Sequence, residues 1–110
     1  MSRCKVVIVP LGQVTDRESF HDVFARILGF PSYYGRNMDA WIDLVCELDT
    51  ERACALHVGK KGTLTLALQD VAIFRSSHPD LWDDLVDSAS DVNFRRMIRG
   101  ESALLALAYQ

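Results

Sequence analysis

Apolar positions along the chain change their period several times, and each change marks an element. Lys5 to Val9 is a short β-branched run ended by Pro10, the pattern of a buried strand. Thr15 and Glu18 then make a T-x-x-E capping box. Phe20, Val23, Phe24, Ile27 and Leu28 follow at helical spacing until Gly29 and Pro31 stop the helix. A second amphipathic helix is predicted from about Asn37 to Leu48, with Met38, Trp41, Ile42, Val45 and Leu48 on its apolar stripe and acids on its other face. Ala53 to Val58 and Thr63 to Leu68 flank GKKG and read as a hairpin with a glycine-bearing loop. Val71 to Arg75 suits a single helical turn. Pro79, in a first helical position, opens a long helix carrying Leu81, Trp82, Leu85, Val86, Ala89 and Val92 and ending near Gly100. Ser102 to Tyr109 is the closing apolar strand.

Strands separated by helices imply parallel pairing through crossovers, hence a small α/β domain. With 110 residues, 49% of them hydrophobic, the chain suits a single domain spanning 1–110 with one core. No stretch reaches the roughly 20 apolar residues of a membrane span, and the opening MSRCKVVIVP lacks the length and cleavage site of a signal peptide, so a cytoplasmic protein is expected. Cys4, Cys46 and Cys54 show no C-x-x-C or zinc-ligand spacing and read as reduced, mostly buried thiols.

Acidic residues are clustered along the chain. Residues 37–51 hold five acids (Asp39, Asp43, Glu47, Asp49, Glu51) and no base, and residues 80–93 hold five more (Asp80, Asp83, Asp84, Asp87, Asp91) and no base. The bases are scattered elsewhere. A nucleic-acid binder needs the reverse, a clustered basic surface, so the expected partner is basic and direct nucleic-acid binding is not expected. Asp39, Asp43 and Glu47 recur at i, i+4 and i+8, a stripe in which each adjacent pair of like charges costs the helix roughly 0.2–0.5 kcal/mol. Immediately before it, Tyr33 and Tyr34 are adjacent and cannot share one face, so one packs under the helix and the other lies beside the carboxylates. Exposed aromatics next to fixed charges are the material of binding hot spots.

Enzyme chemistry finds few candidates. His21 and His78 sit near helix ends, His57 on a predicted hairpin strand, and GKKG lacks phosphate-loop spacing. The three carboxylates of the stripe could hold Mg²⁺ for phosphoryl chemistry, and an interaction module for some other basic protein is a further alternative. Trp41 and Trp82 fall on apolar stripes and read as core. No cofactor is called for.

The segment Phe30 to Leu44, with Pro31, Tyr33, Tyr34, Gly35, Asn37, Asp39, Ala40 and Asp43 in the pattern Pro-x-Tyr-Tyr-Gly-x-Asn-x-Asp-Ala-x-x-Asp, resembles the signature of the barstar family, small inhibitors of secreted ribonucleases. The resemblance implies a three-stranded parallel sheet ordered by sequence and packed against helices, with the predicted hairpin as an extra arm. It implies no catalysis, and a partner that is a small basic ribonuclease or nuclease toxin, bound by a protein monomeric when free. Carried over by residue, Tyr33, Asn37, Asp39 and Asp43 would touch the enzyme, Asp43 lying where the substrate phosphate would sit, with Glu47 continuing the stripe. Tyr34, Gly35, Ala40 and Trp41 would be scaffold. The family's further contact acid on the last helix falls on Arg95 or Arg96 here, which leaves either Asp87 or Asp91 as a second contact or no second contact at all.

Overall fold

Alternation along three short strands builds the sheet. The structure, a computed structural model describing residues 4–48 and 62–110, places β1 at Cys4–Pro10, β2 at Thr63–Gln69 and β3 at Leu105–Tyr109, in the order β1-β2-β3 and all parallel. In register, Val9 lies beside Leu68, and Leu64 and Leu66 lie beside Leu105 and Leu107, so one face of the sheet is a layer of branched aliphatics. Leu64, Leu66 and Leu68 of the central strand are fully buried. Two expectations change here. β1 is an edge strand with one face open, Val6 and Ile8 standing 67% and 57% exposed while Val9 is buried, rather than buried on both sides. Thr63–Leu68 is the middle of the sheet, with β1 on one edge and β3 on the other, and not half of an arm. The other half of the expected hairpin, 53–58, lies outside the described residues.

Each parallel pairing needs a crossover, and the helices supply it. Between β1 and β2 run a 3₁₀ turn at Leu11–Gln13, α1 at Arg17–Leu28 and α2 at Met38–Cys46; between β2 and β3 run α3 at Val71–Ser77 and α4 at Pro79–Ile98. The α1 cap is shifted by one residue from the expected box: the Asp16 carboxylate accepts from Ser19 N–H at 2.8 Å, and the Ser19 hydroxyl closes back onto the Asp16 N–H. Asp is a stronger N-cap than Thr, which is reason enough for the shift. Val71–Ser77 is a seven-residue helix rather than a single turn.

Phe20, Phe24 and Leu28 of α1, Trp41 and Val45 of α2, and Leu85 and Val92 of α4 close over the aliphatic layer, each at most 1% exposed. Burying each contributes on the order of 1.5–3 kcal/mol. Phe24 meets Trp41 edge to face at 5.6 Å between ring centroids, which locks α2 against α1. Among the described residues no helix is long and apolar enough to cross a membrane.

Candidate functional site

The turn before α2 is held from below and from the side. Gly29, at φ 67°, ends α1 in the left-handed conformation that a residue with a Cβ resists, and Phe30 N–H then bonds the Ala25 carbonyl at 3.0 Å. Tyr34 N–H bonds the Pro31 carbonyl, which tightens the turn and points the two tyrosines opposite ways. Tyr34 is buried between Phe30 and His21, and its hydroxyl shares a hydrogen bond with His21 Nδ1. Burial raises the Tyr34 phenol well above its ordinary range, so that hydroxyl keeps its proton. Tyr33 stands 74% exposed.

Arg36 and Asn37 then join the turn to two helices. Arg36 sits at φ 56°, a conformation uncommon for a residue other than glycine, and is tied down by Asp22 at 2.7 Å and the Glu18 carbonyl at 3.0 Å, both on α1. Asn37 caps α2: its Oδ1 accepts from Ala40 N–H at 2.8 Å and its Nδ2 donates to the Gly35 carbonyl at 3.2 Å. A Cβ on Gly35 would stand 3.2 Å from that same Nδ2, so glycine is needed here for closeness rather than for φ. Both ends of the Asn37 amide are thus engaged within the turn.

Past the cap, Asp39 and Asp43 are exposed on successive turns of α2 and Glu47 is its half-buried C-cap. Eight residues of helix separate the first acid from the last, about 12 Å, so the three carboxylates do not converge on one ion. Among the described residues no three His, Cys, Asp or Glu side chains are grouped to hold a metal.

Tertiary packing adds what the stripe lacked, a cation. α4 lies against α2, and Arg95 reaches Asp43 at 3.3 Å while its Nε meets Asp91, one turn earlier on α4, also at 3.3 Å. The next residue, Arg96, turns into the core and is 1% exposed, donating to the Ser102 and Cys46 carbonyls at 3.0 and 3.2 Å and facing Glu101 at 3.6 Å. A guanidinium on the last carbonyls of α2 favours the negative end of that helix and fixes it to α4. Asp87 is exposed one turn further back on α4, and Asp84 is paired with Arg17 of α1 at 2.9 Å.

Between the two helices lies an open cleft of about 620 Å³. Tyr33, Asp43, Leu44 and Glu47 form its α2 side with Cys46, and Arg95, Ile98 and Arg99 form its α4 side. Of the residues expected to bind a partner, Tyr33, Asp43 and Glu47 meet in this cleft, Asp39 stands outside it on α2, and Asn37 holds the helix start. A second contact on this helix was expected at Asp87 or Asp91; the cleft is lined instead by Arg95, Ile98 and Arg99, of which the sequence singles out only Arg95, as a position matching the family's contact acid. Cys46 is buried, and burial pushes its thiol upward, so it stays protonated and unreactive. Cys4 is exposed, where a buried thiol was expected, because it lies on the open face of the edge strand; Cys54 lies outside the described residues.

A sequence profile of the family described as Barstar (barnase inhibitor) matches residues 4–106, nearly the whole chain. No curated protein matches the chain in sequence.

Proposed function

The chain belongs to the barstar family, and from that membership we propose that it inhibits a small basic ribonuclease by seating the turn and helix 33–47 in the enzyme's active site. Members of this family act as inhibitors rather than enzymes. The observation that carries the proposal for this chain is Tyr33, 74% exposed on a turn that is otherwise fastened to α1 and α2, sharing a cleft with the exposed carboxylate Asp43.

An enzyme that cleaves RNA must hold phosphate and stabilise its transition state with cationic groups, so carboxylates fixed at that spot compete with substrate. The fastening matters as much as the charge. With Tyr34 locked in the core, Arg36 tied to α1 and Asn37 capping α2, little ordering remains to be done on binding, which cuts the entropic cost of association. The Arg95–Asp43 pair is no obstacle, because side chains 48% and 72% exposed form a pair of small net value that an incoming cation can displace. The acids along α2 and α4 also favour encounter with a basic partner.

The test is a titration of the protein into RNA-cleavage assays of a panel of microbial basic ribonucleases, with barnase as the first member. Stoichiometric one-to-one loss of activity is expected for at least one enzyme. Full activity of every member at micromolar protein would remove the proposal.

A further inference from the structure

The cleft between α2 and α4 is not an acidic pit. Its lining holds two carboxylates, Asp43 and Glu47, and two guanidiniums, Arg95 and Arg99, so its charges cancel but are sorted by wall, negative on α2 and positive on α4. On the premise that the partner is a ribonuclease, as proposed above, we propose that this cleft selects an enzyme that sets a cation against α2 and, beside it, a carboxylate against Arg95 and Arg99.

Three observations carry this. A partner presenting cations alone would meet attraction on one wall and like charge on the other, and like charges juxtaposed across an interface strongly disfavour a complex. Second, the α4 arginines have donors to spare. Arg95 donates Nη1 to Asp43 at 3.3 Å, longer than the 2.7–2.9 Å typical of charge-assisted bonds, its Nε is only ion-paired with Asp91 at 3.3 Å, and no hydrogen bond from Nη2 is found among the described residues. Arg99 is ion-paired with Glu101 through Nε at 2.7 Å, and no ion pair through its Nη groups is found among the described residues. When a partner's cation takes Asp43, Arg95 is released towards an incoming carboxylate, and Asp91 stays with it. Third, the α4 wall carries exposed apolar surface: Ile98 in the cleft is 68% exposed, and Phe94 and Met97, on the adjoining arc of the helix, are each 61% exposed. Large apolar groups flanked by arginine are what interface cores are enriched in. The second contact is therefore this basic and apolar end of α4, and Asp91 serves to hold Arg95 in place.

The experiment uses the full chain and whichever ribonuclease of the panel, barnase first, the unaltered protein inhibits. Arg95→Gln and Arg99→Gln are compared with it by dissociation rate and Kd. Urea unfolding of each variant serves as the folding control. Each substitution is expected to weaken binding at least tenfold, mainly through faster dissociation. Changing carboxylates near the enzyme's active site to amides should reveal one whose loss no longer matters once Arg95 is Gln. Tighter binding by Arg95→Gln would show that the wall faces a cation and that Arg95 merely competes for Asp43, and unchanged Kd for both variants would show that α4 lies outside the interface. Either result overturns this proposal while leaving inhibition intact. If the unaltered protein inhibits no ribonuclease, the premise and this proposal fall together.

Discussion

Asp43→Asn separates what the carboxylate does for the fold from what it does for a partner. In the folded protein the charge takes part in three interactions whose signs differ. Asp39 and Glu47, four residues to either side, repel it, and relief of each contact returns about 0.2–0.5 kcal/mol. Arg95 attracts it at 3.3 Å, but with the two side chains 48% and 72% exposed the pair belongs at the low end of the 0.2–1 kcal/mol typical of surface pairs. Arg95 also keeps Asp91, so removing the Asp43 charge strands nothing. The terms nearly cancel, and the free protein should unfold within about 0.5 kcal/mol of the unaltered one.

In the complex no such cancellation operates. A carboxylate placed where phosphate would sit is desolvated against the enzyme's cations, and removing one partner of such a pair costs roughly 2–5 kcal/mol, a general range to which the barnase–barstar pair itself contributed. Asp43→Asn is therefore expected to keep its urea midpoint and lose about 30-fold to several thousand-fold in affinity, chiefly in the dissociation rate. The paired assays are urea unfolding of the free protein and inhibition kinetics with the ribonuclease. A stability loss beyond about 1.5 kcal/mol would mean that Asp43 holds the domain together in a way its exposure does not suggest. Full affinity in the variant would mean that the phosphate-mimic role does not reside at this position.

The two tyrosines should divide the same way: Tyr33→Ala, at a 74% exposed position, should leave unfolding within about 0.5 kcal/mol but weaken inhibition, whereas Tyr34→Ala should cost about 3–5 kcal/mol of stability by opening a cavity against Phe30 and His21. A shared loss of stability would show that Tyr33 also packs. Arg96→Ala should cost about 2–5 kcal/mol, because it removes the donor from the Cys46 and Ser102 carbonyls at a 1% exposed site, Glu101 keeping Arg99, and a midpoint shift worth under 1 kcal/mol would show that α2 does not depend on that guanidinium. His21 is held below its ordinary pKa of 6.5 first by burial and then by Arg36 and Arg17, and its buried Nε2 has no hydrogen-bond partner among the described residues. The unfolded chain takes up that proton before the folded one does, so stability should be complete above about pH 6.5 and fall below it, by at most about 1.4 kcal/mol per pH unit, until the folded pKa is reached. Asp16, whose carboxylate lies below its usual range through the Ser19 backbone bond, contributes at lower pH, so His21→Gln should flatten stability between pH 5 and 6.5; an unchanged slope would place the proton elsewhere.

Local periodicity was enough to show α1, α2 and α4, because the residues that bury a helix stripe recur within a turn or two of one another, and Phe20, Val23, Phe24, Trp41, Val45, Leu85 and Val92 all proved to be core. The turn at 31–37 and the acids after it were equally legible, being made of neighbours: Gly29 and Pro31 to stop one helix, Asn37 to start the next. The residues alone required one tyrosine in and one out, and the barstar-like signature assigned Tyr33 to the outside, as found. What periodicity could not decide was which elements meet. That Thr63–Gln69 is the central strand rather than half of a hairpin depends on two parallel neighbours 59 and 41 residues away, Cys4 and Leu105 among them. That Asp43 faces a cation depends on Arg95, 52 residues further on. Adjacent arginines on one helix point about 100° apart, so Arg95 reaches the cleft while Arg96 is swallowed by the core, a difference that only the position of α2 against α4 settles. The acidic stripe is a property of the chain, whereas the two-signed cleft exists only because a helix from the far end of the sequence forms its other wall.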